Sequence, residues 1–275
     1  MLNAHPEICV PPECGFAHWL RPAFHARDVA DPDVRTEFVH AVLQSRKFDG
    51  WNMNFSSLYD CIDAYNPQDY PSLTWCIGAA YAQTSGIIPA WVGDKNNYYI
   101  HHLEQIAAWF PRSRLLCITR DGRDVACSYL ALSRAKITSE QAPRLSSDIA
   151  EIAEGWSSHV GDIHRLLRDK PSRAMHVRFE DLVLDPQATL TKCVKWLGLD
   201  WNPSMLRYPG QNDEPPAYLE WKALTKHPPD PSAIGRYKTA MTGDELRVFE
   251  SRASQALTSL GYGLEGGAGD CDHRR

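Results

Sequence analysis

Apolar and polar positions alternate along the chain in blocks that predict a layered α/β protein. Short apolar runs closed by polar or turn residues predict strands over residues 88–92, 114–119 and 174–179. Elsewhere apolar residues recur three and four positions apart, which is typical of amphipathic helices. This spacing predicts helices over residues 33–46, 72–83, 101–110 and 146–167. Strands that alternate with helices favour a mainly parallel sheet with helices packed on its faces.

Two further helices carry signals at their ends. Asp185 and Pro186 supply an N-cap and a first-turn proline for a helix over residues 187–197. Thr242 and Glu245 have the spacing of a capping box, in which each side chain bonds the backbone N–H of the other residue. We therefore predict one more helix after Thr242.

The length of 275 residues favours a single α/β domain over residues 1–264. Within it, the aromatic-rich stretch 14–70 is expected to form a helical cap. Residues 265–275 are rich in Gly, Asp and Arg, and we expect them to form a disordered tail because they have little to bury.

Charge and hydropathy exclude several classes of protein. The chain has 29 Lys and Arg against 34 Asp and Glu, a net charge of −5, without the concentrated basic patch of a nucleic-acid-binding protein. No apolar run approaches the length needed to span a bilayer, and the first residues do not form a signal peptide. The sequence as it stands predicts a cytoplasmic protein without a membrane span.

The cysteines and histidines do not predict a metal site. The eight cysteines contain no CxxC pair, and neither an HExxH motif nor a calcium-binding loop occurs. We expect most of the cysteines to be small buried apolar residues.

Residues 114–128 carry the most informative pattern, an apolar strand that leads through a turn at Gly122 into a helix. The junction of a strand with a helix N-terminus binds anions, because unpaired N–H groups and the helix dipole face the ligand. Arg120 lies at this junction, and Ser128 lies about one helical turn beyond Asp124. An arginine grips phosphate bidentately while a hydroxyl donates a further bond. A plainer interpretation is that Arg120, Arg123 and the neighbouring aspartates form only an ion-paired helix start.

This segment resembles the 3'-phosphate-binding motif of sulfotransferases that use 3'-phosphoadenosine 5'-phosphosulfate (PAPS). The resemblance extends over nearly the whole chain to about residue 262, and it is closer to the bacterial and protein-tyrosine sulfotransferases than to the steroid and phenol enzymes. It is carried by further short motifs in the family's order, namely LNAHPE from Leu2, PE at Pro12, GDK at Gly93, VRFEDL at Val177, WLGL at Trp196, GRY at Gly235 and LGY at Leu260.

The resemblance implies a P-loop-like three-layer fold and transfer of a sulfuryl group from PAPS to a hydroxyl or amine acceptor. It implies that Arg120 and Ser128 bind the 3'-phosphate and that Arg236 closes over the nucleotide. Glu13 matches the general base, and Lys95 matches the lysine that stabilises the leaving phosphate. The structural alternatives are a surface glutamate at position 13 and an ion pair of Lys95 with Asp94.

Two features bear on the acceptor and on donor contacts. Aromatic residues and the histidines His18 and His25 are frequent over residues 14–70, where they either wall an acceptor pocket or form the core of the helical cap. Phe179 departs from the family pattern, in which a tyrosine is frequent, so any hydrogen bond from that hydroxyl is lost. The acceptor class stays open among a small molecule, a sugar and a peptide, and the oligomeric state is not readable from the sequence.

One expected segment does not occur in the sequence. In relatives a strand and an Arg-Ser-Gly-Thr-like loop precede the His-Pro motif, and here Met1 falls inside the helix that would follow that loop. We therefore expect a fold without its first strand and a natural start upstream of Met1. Two alternatives are a binding protein that retains only the 3'-phosphate pocket, and a kinase-like phosphotransferase. The absent Walker lysine makes the second of these the weaker one.

Overall fold

The structure is a computed structural model that describes the chain except residues 54, 136, 138, 140–141, 212–226 and 266–275. The contacts divide it into two compact units, Met1–Arg112 with Val194–Lys226, and Ser113–Cys193 with His227–Arg275.

The single domain over 1–264 stays a prediction. Most of the expected tail lies outside the described residues, but its first residue, Glu265, is held by hydrogen bonds to Tyr237 and Glu250.

The first unit contains a short parallel sheet and a set of helices. Strand β1, Ile8–Cys9, pairs with β2, Trp91–Val92, with Ile8 opposite Trp91. The α-helices are α1 Phe16–Trp19, α2 Arg21–Phe24, α3 Pro32–Leu43, α4 Phe55–Tyr65, α5 Tyr70–Thr84 and α6 Leu103–Trp109. The 3₁₀ helices of this unit are Leu2–Ala4, Phe48–Trp51, Asn97–His102 and Pro203–Gln211.

Helix α5 fixes the position of β2. A capping box between Asp69 and Ser72 begins the helix. Gly78 faces β2 so closely that a Cβ atom there would lie 2.3 Å from Cγ1 of Val92. The glycine therefore permits close packing of helix on strand, and this packing places the loop that follows Val92.

Aromatic rings form much of the core of the first unit. Phe16 lies edge-on to Phe38, Phe48 and Trp51, with ring centroids 5.9–6.4 Å apart. Phe24 and Tyr70 are also buried in this cluster. The interpretation of the aromatic stretch as helical core is thus confirmed for these residues, whereas Trp19 and Tyr65 are exposed.

The second unit is built on the parallel pair β3, Leu115–Thr119, and β4, Ala174–Arg178. Its helices are α7 Gly122–Arg134, α8 Ile149–Asp169, α9 Phe179–Leu184, α10 Pro186–Leu197, α11 Tyr237–Ala240 and α12 Gly243–Ser259. Helix α10 continues beyond Cys193 into residues of the first unit. A core of α7, α8 and α12 side chains includes Trp156 and Phe249.

The sequence-based elements agree with the structure in kind and differ at their ends. The first predicted strand is shorter because Ile88 is exposed and lies outside β2, and the third ends at Arg178 because Phe179 begins a helix. The two-residue strand β1 was missed, since two residues carry no periodic pattern. The capping box of Thr242 and Glu245 is confirmed, and so are the parallel strand pairs of an α/β fold.

Among the helices of the described residues, none combines the length and the apolar character that a bilayer crossing requires.

Candidate functional site

The start of helix α7 positions the residues of the predicted anion site. Asp121 is the N-cap, and its side chain accepts a hydrogen bond from the backbone N–H of Arg123. Gly122 is the first helical residue and not a turn residue, which corrects the sequence-based expectation. A Cβ atom at Gly122 would lie 2.5 Å from the Trp156 ring and 2.7 Å from the Phe249 ring. A glycine is required here by close packing and not by a positive φ.

Arg120 and Ser128 lie together, as the sequence predicts. Nη1 of Arg120 donates to Oγ of Ser128 at 3.4 Å, and Nη2 donates to the backbone carbonyl of Ala233. Nε of Arg120 is buried and has no hydrogen-bond partner among the described residues. The guanidinium lies 4.8 Å from the ring centre of Phe179. The phenylalanine that departs from the family pattern therefore supports Arg120 through a cation–π contact.

Arg236 is brought to this region through Asp124. The fully buried carboxylate of Asp124 accepts hydrogen bonds from the backbone N–H groups of Gly235, at 2.8 Å, and Tyr237, at 3.0 Å. It also lies 3.9 Å from the Arg120 guanidinium. Gly235 adopts a φ of +74°, so it permits the tight loop that the sequence predicts. Asp124 thus fixes the backbone on both sides of Arg236 next to the helix that carries Ser128.

Arg123 has a structural role instead. Its guanidinium is buried between Asp121, at 2.8 Å, and Glu250, at 2.6 Å, and it lies over the Tyr237 ring. Burial opposes its charge, but the hydrogen bond and charge of Asp121 raise the pKa of Arg123 above its usual value. The interpretation as an ion-paired helix start is therefore correct for Arg123.

Glu13 of the first unit lies between two lysines. Its Oε1 is 2.7 Å from Nζ of Lys47, and its Oε2 is 3.4 Å from Nζ of Lys95. The carboxylate side chain is largely buried, whereas the side chain of Lys95 is half exposed. Glu13 is thus an ion-paired and mostly buried residue and not an exposed surface glutamate.

Lys47 was not identified by sequence reasoning. It lies 34 residues from Glu13 in the chain and in no motif, and it adopts a φ of +73°, which is unusual for a residue other than glycine. The only sequence signal is a lysine between the predicted helix at residues 33–46 and the aromatic residues that follow it. Such a signal does not distinguish it from other surface lysines.

Asp94 lies beside this pair and bonds to an aromatic hydroxyl. The hydroxyl of Tyr99 donates to Oδ2 of Asp94. Desolvation of the carboxylate raises the pKa of Asp94 to about 6, although the residue as a whole keeps exposed surface. The hydrogen bond from Tyr99 and the charge of Lys95 oppose that rise. Of these two neighbouring residues, Lys95 contacts Glu13, and Asp94 accepts a hydrogen bond from Tyr99.

The described residues hold no cluster of three or more His, Cys, Asp or Glu side chains suited to a metal ion. The seven cysteines in the described part of the chain are buried, as expected, and none of them forms a disulfide. The eighth, Cys271, lies outside the described residues.

Three comparisons with known proteins agree with one another. A family model described as the sulfotransferase family matches residues 1–203. A protein-tyrosine sulfotransferase of Drosophila melanogaster is 29% identical over 159 residues, which are 56% of this chain and 31% of that protein. The chain therefore spans about a third of the length of this curated relative.

Two solved structures share the fold. A sulfotransferase domain from the curacin biosynthetic pathway matches with a TM-score of 0.61 and 17% identity, over 96% of this chain and 92% of that domain. The sulfotransferase domain of the Synechococcus PCC 7002 olefin synthase matches with a TM-score of 0.56 and 16% identity, over 91% of this chain and 86% of that domain. Because the family model covers well over half of the sequence, the chain belongs to the sulfotransferase family.

Proposed function

We propose that this enzyme transfers a sulfuryl group from PAPS to the hydroxyl group of an acceptor. The proposal is carried by one observation, the grouping of Arg120, Ser128 and the Arg236 loop around the start of α7. The Arg236 loop lies more than 100 residues from Asp124 in the sequence, yet the backbone on both sides of Arg236 is held at the helix whose N-terminus favours an anion.

The chemistry of this grouping suits the 3'-phosphate of the donor. Nε of Arg120 is a buried donor without a partner among the described residues, which is costly unless a ligand satisfies it. The Ser128 hydroxyl donates to the backbone carbonyl of Asp124 in this structure and becomes a second donor to the phosphate when it rotates away from that carbonyl. The loop held by Asp124 carries the further cation of Arg236. The charge of Asp124 is compensated by two backbone N–H groups, so the carboxylate is compatible with an anion nearby.

The catalytic assignments concern the first unit. When bound, the donor supplies the sulfuryl group and leaves as 3'-phosphoadenosine 5'-phosphate. Glu13 accepts the proton of the acceptor hydroxyl, and its ion pairs with Lys47 and Lys95 hold the carboxylate in position for this task. Lys95, whose side chain is half exposed, supplies a mobile positive charge for the negative charge on the leaving group.

The test separates donor binding from turnover. Calorimetry measures the affinity for 3'-phosphoadenosine 5'-phosphate, and a sulfur-labelled donor measures transfer to a panel of phenols, sugars and alcohols. We expect Arg120→Ala to weaken nucleotide affinity by about tenfold or more. We expect Glu13→Gln to keep that affinity and to lower turnover by about 10²–10⁴-fold.

Glu37→Gln serves as the matched control, because Glu37 is an exposed glutamate of the same unit that pairs with Arg27. It is expected to change neither quantity. Nucleotide binding without transfer to any acceptor would favour the binding-protein alternative. An absence of nucleotide binding would contradict the proposal itself.

A further inference from the structure

The end of helix α12 turns the chain back into the second unit. Gly261 adopts a φ of +81°, and its N–H donates to the carbonyl of Thr258 at 3.0 Å. The N–H of Tyr262 donates to the carbonyl of Leu257 at 2.9 Å. This pair of bonds around a left-handed glycine is the Schellman arrangement of a helix end. The side chain of Tyr262 is directed inward and is 8% exposed. We call residues 262–265, which follow the turn, the 262–265 strap.

Tyr262 reaches the start of α7 through Glu180. Its hydroxyl donates to Oε2 of Glu180 at 2.9 Å, and Oε1 of the same carboxylate accepts a hydrogen bond from the backbone N–H of Asp121 at 2.9 Å. All three residues are buried. Asp121 follows Arg120 directly in the chain. The hydroxyl of Tyr262 therefore holds the carboxylate that holds the backbone next to Arg120.

The buried carboxylate of Glu180 depends on this hydroxyl. A carboxylate removed from water is costly unless hydrogen bonds replace the lost hydration. Nε of Arg178 also faces Oε2 of Glu180, but at 3.8 Å it is beyond hydrogen-bonding distance. Loss of the Tyr262 hydroxyl would remove the close bond to Oε2. The carboxylate is then expected to turn toward Arg178 and away from the N–H of Asp121.

A second contact joins the strap to the same helix start. The backbone carbonyl of Gly263 accepts a hydrogen bond from Nη1 of Arg123 at 2.8 Å. The guanidinium of Arg123 also pairs with the carboxylate of Asp121. The strap therefore contacts two partners of Asp121, which are the carboxylate of Glu180 and the guanidinium of Arg123.

A third contact reaches the loop that carries Arg236. Oε1 of Glu265 accepts a hydrogen bond from the hydroxyl of Tyr237 at 3.0 Å, and it lies 3.0 Å from Nζ of Lys238. The backbone N–H of Glu265 donates to Oε1 of Glu250 at 3.0 Å. Tyr237 and Lys238 are the two residues that follow Arg236. One stretch of four residues thus bonds to the neighbours of both arginines that the proposed function assigns to the donor.

Hydrogen bonds, more than apolar packing, hold most of the strap in place. The ring of Tyr262 belongs to the hydrophobic core of α7, α8 and α12. Leu264 is 41% exposed, and Gly263 and Glu265 are exposed as well. These three residues bury little apolar surface, so their contribution to the core is small. The bonds of the strap instead tie the start of α7 to the loop of Arg236.

We propose that Tyr262 is a positioning residue for Arg120, and that the strap as a whole sets the geometry of the donor site. Glu265 has the same role for Arg236. This inference rests on the proposed function, because it takes the two arginines as ligands of the nucleotide. An arginine that is held in place binds more tightly than one that must be ordered when the nucleotide arrives. The strap therefore affects donor affinity and not the transfer step, whose proposed residues belong to the first unit.

The test measures the affinity for 3'-phosphoadenosine 5'-phosphate by calorimetry. Tyr262→Phe removes only the hydroxyl, and we expect it to weaken nucleotide binding by about tenfold. Glu265→Ala removes the acceptor of the Tyr237 hydroxyl and is expected to weaken binding by about threefold. With a sulfur-labelled donor and an acceptor of the panel above, the KM for the donor is expected to rise by the same factors while kcat stays unchanged.

Tyr70→Phe is the matched control for the lost hydroxyl. Tyr70 is a buried tyrosine of the first unit, and its hydroxyl donates to the carbonyl of Ala17 at 2.9 Å. Tyr70→Phe is expected to lower the urea midpoint of unfolding, as Tyr262→Phe does, and to leave nucleotide affinity unchanged. Glu154→Ala, at an exposed pair with Arg252 in the second unit, is the control for Glu265→Ala and is expected to change neither quantity.

Urea unfolding separates positioning from a contribution to stability alone. A lower midpoint in Tyr262→Phe with unchanged nucleotide affinity would overturn the inference, and so would an equal loss of affinity in Tyr70→Phe. If Tyr262→Phe does not fold, the exposed position of Glu265 decides, and unchanged affinity in Glu265→Ala overturns the inference. Failure of the unsubstituted chain to bind the nucleotide would instead remove the proposed function, and this inference with it.

Discussion

The buried carboxylate of Asp124 accepts a hydrogen bond from the backbone N–H of Gly235 at 2.8 Å, across 111 residues of sequence. The adjoining bond from Tyr237 holds the other oxygen of the same carboxylate. One side chain on α7 therefore sets the position of the loop that carries Arg236.

Asp124→Asn is expected to loosen this loop. The amide keeps one acceptor oxygen but turns an NH₂ group toward a backbone N–H, so one charge-assisted hydrogen bond becomes a donor–donor contact. We expect the free energy of unfolding in urea to fall by about 2 kcal/mol and the affinity for 3'-phosphoadenosine 5'-phosphate to fall by about tenfold. Asp162→Asn, at a surface ion pair with Arg165, is the control for a lost carboxylate. Unchanged nucleotide affinity in Asp124→Asn would separate the loop from the donor site.

Gly122→Ala is expected to destabilise the second unit. The added methyl group would overlap the rings of Trp156 and Phe249, so α7 must move away from its neighbours. Overpacking of this kind costs about 1–3 kcal/mol. Gly155→Ala is the matched control because Gly155 lies within α8 with no atom within 4 Å of the added Cβ, and alanine there is expected to stabilise by about 0.5–1 kcal/mol. Thermal and urea unfolding of both variants measures the difference, and a neutral Gly122→Ala would disprove the packing argument.

Arg123→Met is expected to be strongly destabilising. It leaves Asp121 and Glu250 buried without their shared cation, and removal of one partner from a buried ion pair costs about 3–5 kcal/mol. Arg168→Met removes an arginine from an exposed pair with Asp169, for which we expect less than about 1 kcal/mol. Urea unfolding at neutral pH tests both values. Similar losses in the two variants would mean that the buried network contributes no more than a surface pair.

His176 makes stability depend on pH. Burial, aided by the charges of His164 and Arg178, lowers the pKa of His176, and its Nε2 contacts Oγ1 of Thr119 at 2.7 Å. The unfolded chain therefore binds more protons at this position than the folded chain does. It follows that stability is lost as the pH falls through and below about 6.5, the pKa of an ordinary histidine.

His176→Gln is expected to flatten that dependence. Urea unfolding at pH 7.5 and at pH 5, chosen to lie about one unit or more on either side of the ordinary histidine pKa, gives the loss of stability in acid. We expect a smaller loss in the variant than in the unsubstituted chain, because glutamine has no proton to gain. Identical losses in the two proteins would show that His176 does not contribute to the pH dependence.

Features that depend on neighbouring residues can be read from the sequence alone. Local periodicity and end signals predict the apolar runs of β3 and β4, the capping box of Thr242 and Glu245, and Arg120 just before the helix that carries Ser128. The residues in such patterns interact within one or two helical turns. They are therefore close in the sequence, and the structure that they form can be predicted from it. The order of the motifs also indicated the family.

The role of each charged residue at the start of α7, by contrast, depends on how the chain folds. Arg120, Arg123 and Asp124 are equivalent in the sequence as charges of one short motif. In the folded chain, Nε of Arg120 is buried without a partner among the described residues, and Arg123 is buried against Glu250. The carboxylate of Asp124 accepts hydrogen bonds from the backbone on both sides of Arg236. The same holds for Lys47, which reaches Glu13 although no motif contains it. The physical reason is that the role of a charge depends on its desolvation and on which distant groups need a partner, and packing between distant segments sets both.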